Sequence, residues 1–448
     1  MSKIEGTNTV SLITNEVLRM VSQTVLPFKL ASTDETLTAQ SGLVLFGEYC
    51  HALGLPDWLD QALPAPGSGA GNAASTHGLS VVLMLHAGGR SLEDLRTLRA
   101  DAGLLELLKL EAVPSSDALG DWLRRMGAGT GLEGLNHVQQ RVLDHVLATS
   151  DCTAHTLDID ATQVVAEKES ARWTYKGERG YMPMVGHLAE TGLVVGEDFR
   201  EGNAAPAARN LEFIRACEAQ LPRGHFIAAV RADSAAYQAE ILNACEAHGQ
   251  RFAIGAARDA AVNAAIAAIP EAHWSPWRDG EIAETVHCMG ATDNAFRLIV
   301  VRRGNQSELF DTGVSPYRYT VVASNREESA AATMAWYGQR GEASENRIKE
   351  LKIGFGMERM PCGQFAANAV FFRLGGLAYN LFKGFTQWTL DSTWHRHQIQ
   401  TLRWRVYQTA GKVVRHAGQL CLKVNREAVA LFNTIRHRCW ELAVRGAT

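Results

Sequence analysis

None of the eight cysteines (Cys50, Cys152, Cys217, Cys245, Cys288, Cys362, Cys421 and Cys439) stands in a CxxC pair, and they are spread along the chain. That scatter argues against both a disulfide scaffold and a thiolate zinc site. Long apolar runs are missing too. The strongest, 79–87, is broken by Ser80 and His86 and falls well short of the roughly 18 to 20 apolar residues that cross a bilayer. The opening MSKIEGTNTVSLITN has no apolar h-region and does not read as a secretory signal, so a cytoplasmic protein without a membrane partner is expected. No internal repeat is visible. What remains is globular in balance: 46% of the 448 residues are apolar and 21% charged, enough for two or three cores at about 150 residues each.

Net charge is also scarce, at −4, which by itself argues against a nucleic-acid partner. The average conceals an asymmetry. From residue 391 onward there are ten Lys and Arg against three Asp and Glu, a net +7, so the rest of the chain carries −11. A basic region of this kind is the electrostatic footprint of a polyanion.

Residues 1–150 read as helical, with a flexible low-complexity connection at 66–75 (PGSGAGNAAS). SLEDLRTLR and SSDALGDWLRRMG carry apolar residues at helical spacing, with Ser116 as a candidate N-cap and Gly127 as a stop. These helices fit a helix-turn-helix or a plain bundle equally well. From residue 150 the pattern turns to strands: HTLDIDATQVV, YMPMVGHLAE and LVVGEDFR, then helix (ARNLEFIRACEAQL), strand (HFIAAVRAD), helix (SAAYQAEILNACEAHG) and strand (RFAIGAA). Three strands followed by alternating helix and strand predict a mixed sheet with helices on its faces. An Ala-rich helix and three further strands, ETVHCMG, FRLIVVRR and YRYTVVAS, follow within about 259–325, and a long helical region begins after them.

Three acids occupy site-like positions. Asp158 and Asp160 share one face of the first strand because side chains alternate. Asp233 directly follows the apolar strand HFIAAVRA, where α/β sheets gather ligands, although the same residue is placed to cap the next element. A metal cation offsets the cost of holding such acids beside apolar strands. Glu345, Lys349 and Lys352 fall at i, i+4 and i+7 of a helix, which presents one carboxylate and two ammonium groups on one face; a solvated face with ordinary ion pairs has the same spacing.

LDIDAT (157–162), VRADSA (230–235) and YGQRGEASENRIKELK (337–352) together resemble the bacterial insertion-sequence transposases of the DDE class, in the subgroup with a Tyr-Arg-Glu-Lys signature. The resemblance implies an RNase H-like catalytic domain over 151–385, enlarged by a β-rich insertion at about 259–325. A helical DNA-binding and dimerisation region (1–150) and a basic helical C-terminal region (386–448) flank it. It further implies Asp160, Asp233 and Glu345 as a triad for two Mg²⁺ ions, with Mn²⁺ as a substitute. Tyr337, Arg340 and Lys352 take the signature positions that contact DNA phosphates. The activity implied is DNA cleavage at terminal inverted repeats and joining to target DNA, commonly by cut-and-paste in a synaptic homodimer. Some members form a hairpin and stack a flipped base on an aromatic residue of the insertion, a role open here to Trp274 or Trp277, which core or edge packing explains equally.

One departure stands out. The signature has three residues between Arg and Glu, whereas here four (Gly341, Glu342, Ala343 and Ser344) separate Arg340 from Glu345, so Ser344 holds the Glu position. An extra helical residue turns the face by about 100°. Gly341 offers a loop that absorbs it before the helix starts, and the spacing from Glu345 to Lys352 is preserved; Glu342 is the alternative acid, as Asp158 is to Asp160. Arg172, Tyr175 and Lys176 form a basic and aromatic cluster after the first strand, fit for phosphate or for solvent. His187 and His225 read as core histidines. Arg403, Arg405, Lys412, Arg415 and Lys423, interleaved with Trp404 and Tyr407, read as a basic helical surface for DNA or a partner subunit. A structure-specific nuclease without strand transfer, and a DNA-binding protein with an inactive domain, stay open as alternatives.

Overall fold

The computed structural model describes residues 26, 28, 30–67, 71–148, 150–304 and 316–446, with the side chains of Glu342, Ala343 and Gly446 excepted. The centre of the 66–75 connection and residues 305–315 of the β-rich segment therefore lie outside the described residues, as does the opening segment discussed above.

Among the described residues seven α-helices precede the main sheet: α1 (Leu43–Leu53), α2 (Leu55–Ala62), α3 (Ala74–Ala87), α4 (Leu95–Ala100), α5 (Ala102–Leu108), α6 (Ser116–Ala128) and α7 (Gly131–Leu147). The cap of α6 is Ser115 rather than Ser116, its side chain accepting from the Ala118 N–H. Gly127 is not a stop. It lies inside α6 where a Cβ would come within 2.6 Å of the Ala366 backbone, so the residue permits close helix packing.

The sheet follows. Strands β1 (Ala154–Ala161), β2 (Met184–Leu188) and β3 (Val194–Asp198) form an antiparallel meander. After helix α8 (Asn210–Ala219), strand β4 (Phe226–Ala232) pairs parallel to β1. After α9 (Ala239–Ala247), β5 (Arg251–Gly255) pairs parallel to β4. This gives the order β3-β2-β1-β4-β5. The sheet does not end there. Beyond α10 (Ala260–Ala267), strands β6 (Ser275–Trp277), β7 (Gly280–His287), β8 (Phe296–Gly304) and β9 (Tyr317–Ser324) add antiparallel, with β9 docking on the free edge of β5. The β-rich segment thus extends the main sheet to nine strands among the described residues, and its three expected strands are β7, β8 and β9.

Helix α11 (Ala330–Lys349) crosses back over the sheet and runs into a π-helical turn, Glu350–Gly354. Helix α12 (Phe365–Thr389) is apolar nearly all round and is accordingly buried, packed on α3, α6 and α7. Its Asn380 binds both backbone groups of Val194, accepting from N–H at 2.9 Å and donating to C=O at 2.7 Å, which seals the edge strand β3. His86 of α3 stacks on Phe46 and bonds Tyr407 and the Ala378 carbonyl, so N-terminal helices, α12 and the tail share one core.

The tail departs from the helical expectation. Residues 411–424 form a hairpin of β10 (Gly411–His416) and β11 (Gln419–Val424), and Leu37–Thr38 pairs with β10. Alternating VVRH and QLCLKV suit paired strands, and Ala417 and Gly418 both take positive φ, as a two-residue hairpin turn requires. The rest of the described tail is largely helical as expected, with short helical turns over Ser392–Arg396, Ile399–Leu402 and Arg403–Tyr407 and a long helix, α13 (Arg426–Gly446). Among the described residues no helix is long and apolar enough to cross a membrane.

Candidate active site

Strand β1 ends in Asp-Ile-Asp, and its two aspartates meet different fates. Asp158 is fully buried and bound through both carboxylate oxygens to the Arg231 guanidinium of β4, at 2.7 and 2.8 Å, with His187 of β2 at 3.8 Å. The parallel register that sets Asp158 against Arg231 makes this pairing, and Arg231 also donates to the Trp336 carbonyl of α11 at 2.7 Å and lies over its ring. The cluster clamps three elements together. The buried His187 ring is held neutral, its pKa driven well down by burial and then by Arg347, Arg340 and Arg231. The other expected core histidine, His225, stacks on His155 and is linked to it at 3.0 Å.

Asp160, two residues further along, reaches an open cleft of about 700 Å³ that is also lined by Asp233, Arg340, Glu345, Lys349 and Lys352. Asp233 follows β4 directly, and its Oδ1 accepts from the Ala235 N–H at 3.0 Å. The capping role and the cleft position therefore coexist. Asp160 lies 3.3 Å from Arg340, which also donates to the Ile159 carbonyl at 3.0 Å. Burial raises the Asp160 pKa, Arg340 opposes that rise, and the neighbouring Asp233 adds to it. Tyr337 is raised by burial as well, with Asp233 and Asp160 adding to the rise against Arg340. A Cβ on Gly255 would come within 3.0 Å of the Tyr337 hydroxyl, so the glycine ending β5 makes room for it.

The signature helix is continuous through Gly341, contrary to the expected loop. With no break to absorb the additional residue, Ser344 takes the buried, inward position, while Glu345 stands exposed on the cleft rim. Among the described residues no three His, Cys, Asp or Glu side chains come close enough to share an ion. Asp160 and Asp233 suit a hard divalent cation, being oxygen donors whose mutual repulsion a cation relieves. Glu345 faces the same cleft without joining that pair, and the side chain of Glu342 lies outside the description.

Four cations share the cleft with these acids. Lys352 is half-buried and donates to the Gln163 carbonyl at 2.7 Å; burial lowers its pKa, which Glu358 offsets and Lys176 reinforces. Lys176 and Lys349 are exposed, and Tyr175 lies beneath the Lys176 ammonium. Arg172 is exposed on the short strand Arg172–Trp173, outside this lining.

Other expected contacts are redirected. Arg403 is buried and donates to the Leu85, His86 and Gly354 carbonyls at 2.6–2.8 Å, so it ties the tail to α3 and cannot read DNA; Tyr407 is buried beside it. Arg405 and Trp404 are exposed. Trp274 covers Arg302 at 4.2 Å and Trp277 stacks with Arg278 at 4.5 Å, so both indoles already have cationic partners. Arg231, two residues before Asp233 in VRADSA, is not singled out by the sequence motifs; only the register against Asp158 reveals its role.

A family model described as transposase DDE domain group 1 matches residues 25–439. No curated protein matches the chain.

Proposed function

Because the chain belongs to the transposase DDE domain group 1 family, we propose that it cuts DNA at the terminal inverted repeats of its own mobile element and joins the freed 3′ ends to target DNA by cut-and-paste. The observation that carries this reading is the single cleft holding Asp160, Asp233, Arg340, Glu345 and Lys352. Two of its acids leave the carboxyl ends of the adjacent parallel strands β1 and β4, where an α/β sheet presents catalytic groups. The order β3-β2-β1-β4-β5, with β1, β4 and β5 parallel, supports an RNase H-like core, and the Tyr337-Arg340-Lys352 pattern supports the Tyr-Arg-Glu-Lys subgroup.

Asp160 and Asp233, with Glu345 of α11 facing them on the rim of the same cleft, are the residues that would hold two Mg²⁺ ions, or Mn²⁺ in their place. Such ions supply charge neutralisation at the scissile phosphate and activate the attacking water or 3′-hydroxyl. The chain's own contribution is position and charge. The Asp158–Arg231 clamp fixes β1, β4 and α11 relative to one another, and so fixes both strand-borne acids. Arg340 balances Asp160 on the cleft lining, where a guanidinium suits a phosphate. Lys176, Lys349 and Lys352 hold the strand on either side of the scissile bond. A homodimer bringing two element ends together completes the reading.

A specific observation favours a second reading, a DNA-binding protein with an inactive site: Ser344 occupies the inward position and Glu345 stands apart from the aspartates. A strand-transfer assay with Mg²⁺, terminal-repeat DNA and a target plasmid tests the proposal. Joined product is the expected outcome. Cleavage without joining points to a nuclease, and tight binding without cleavage in Mg²⁺ or Mn²⁺ points to the inactive form.

A further inference from the structure

The wall of the acidic cleft continues into a second cleft of about 490 Å³, bounded by the turn after α3, the start of α6 and residues 359–363. Four cations line it, Arg90, Arg124, Lys168 and Arg359, against the two acids Glu93 and Asp117. Pairing beyond the lining acts on both signs: Glu93 is held by Arg96, but Arg124 is held by Asp121 and Arg90 faces Glu358, which leaves Lys168 and Arg359 as the lining cations without a carboxylate at ion-pair distance among the described residues.

The two clefts share structure. Arg90 donates to the Ile353 carbonyl at 3.2 Å and stands 3.5 Å from Glu358, and both of those residues line the acidic cleft. Gly356, at positive φ, packs its backbone on Arg90, where a Cβ would come within 3.3 Å. Lys168 donates to the Pro361 carbonyl at 3.3 Å, and the Ser170 N–H donates to Gly363. Residues from the turn after α3, from α6, from the loop after β1 and from the segment following the π turn thus build one basic trough, in which Arg359 is exposed.

We propose that this trough holds the phosphodiester backbone of the DNA strand leaving the acidic cleft, on the side of the N-terminal helices. The inference rests on the transposase reading above and adds the path of the strand. Phosphate contacts of this kind position a duplex without reading its bases, so their signature is electrostatic.

The test uses the full chain and random-sequence duplex DNA, with affinity followed against salt. Each lost phosphate contact lowers the slope of log affinity on log salt by about 0.9. Arg124→Ala with Arg359→Ala is therefore expected to flatten the slope by about 1.8, so that the affinity lost between about 50 and 200 mM salt shrinks roughly tenfold. Arg359→Ala alone, at an exposed side chain, gives half that change and guards against misfolding of the double variant. Arg223→Ala, in the turn before β4 at the opposite end of the strands, leaves the slope unchanged. A parent that binds DNA while both trough variants keep its slope overturns the trough and spares the transposase reading. A parent that binds no DNA at any salt overturns both.

Discussion

Asp158 and Asp160 are two residues apart on one strand, and exchanging each for asparagine should separate stability from chemistry. Asp158→Asn leaves the Arg231 guanidinium charged, with 2% of its side chain exposed, and without its anion. Removing one partner of a buried pair costs about 3–5 kcal/mol, and the retained amide oxygen places this change near the lower figure, about 3 kcal/mol. That is a large share of a typical stability of about 5–15 kcal/mol and, for a chain of 448 residues, corresponds to a fall in melting temperature on the order of 3 °C. Asp160→Asn loses a 3.3 Å contact to Arg340 at a carboxylate 30% exposed, but also relieves repulsion with Asp233, so its stability should stay within about 1 kcal/mol of the parent. Thermal melts by circular dichroism and a cleavage assay on the same preparations check both arms. Replacing the pair together, Asp158→Leu with Arg231→Met, should recover most of the lost stability. The reasoning is refuted if Asp158→Asn melts with the parent, or if Asp160→Asn destabilises as strongly as Asp158→Asn.

Other outcomes follow from particular side chains. Burial pushes the Glu197 carboxyl up to about 7 from an ordinary 4.5, with Arg373 opposing. The native state then holds a proton that the unfolded chain releases, so stability falls as pH rises from about 4.5 to 7, by on the order of 3 kcal/mol. Glu197→Gln should abolish that slope in urea titrations. Raised likewise in the metal-free protein, Asp160 should make Mg²⁺ affinity increase with pH through a region above the ordinary aspartate range, which metal titrations across acidic buffers will reveal. Arg403→Ala should cost about 3 kcal/mol, since two buried carbonyls and a half-buried one lose a charged donor, while leaving the salt dependence of DNA binding untouched. Glu345→Gln should lower cleavage at least a hundredfold with an unchanged melt; full activity in that variant removes Glu345 from the site.

Much of the sheet could be read from the chain because its signals are local. HTLDIDA alternates, HFIAAVRA is an apolar run closed by an acid, and VRADSA puts Asp233 at a strand end whatever the neighbours are. The choice between Asp158 and Asp160 is not local. It depends on the register that brings Arg231 opposite Asp158, and on an Arg231–Trp336 contact across more than a hundred residues. The tail misled because Arg403 and Tyr407 look like surface groups until α3 and α12 enclose them. Gly341 alone is free to leave the helix, but the packing of Ser344, Ile348 and Leu351 holds the helix intact around it. The same packing turns Glu345 outward, so the departure visible in the motif spacing has a direct structural counterpart.

The carboxylate cleft is the core of the account, and Asp233→Ala probes it most directly. With Mg²⁺ and DNA bearing the element's terminal repeats, the parent should cleave, and the variant should bind the same DNA with equal affinity yet leave it intact. Cleavage by Asp233→Ala at the parent's rate would contradict the assignment of this cleft as the active site.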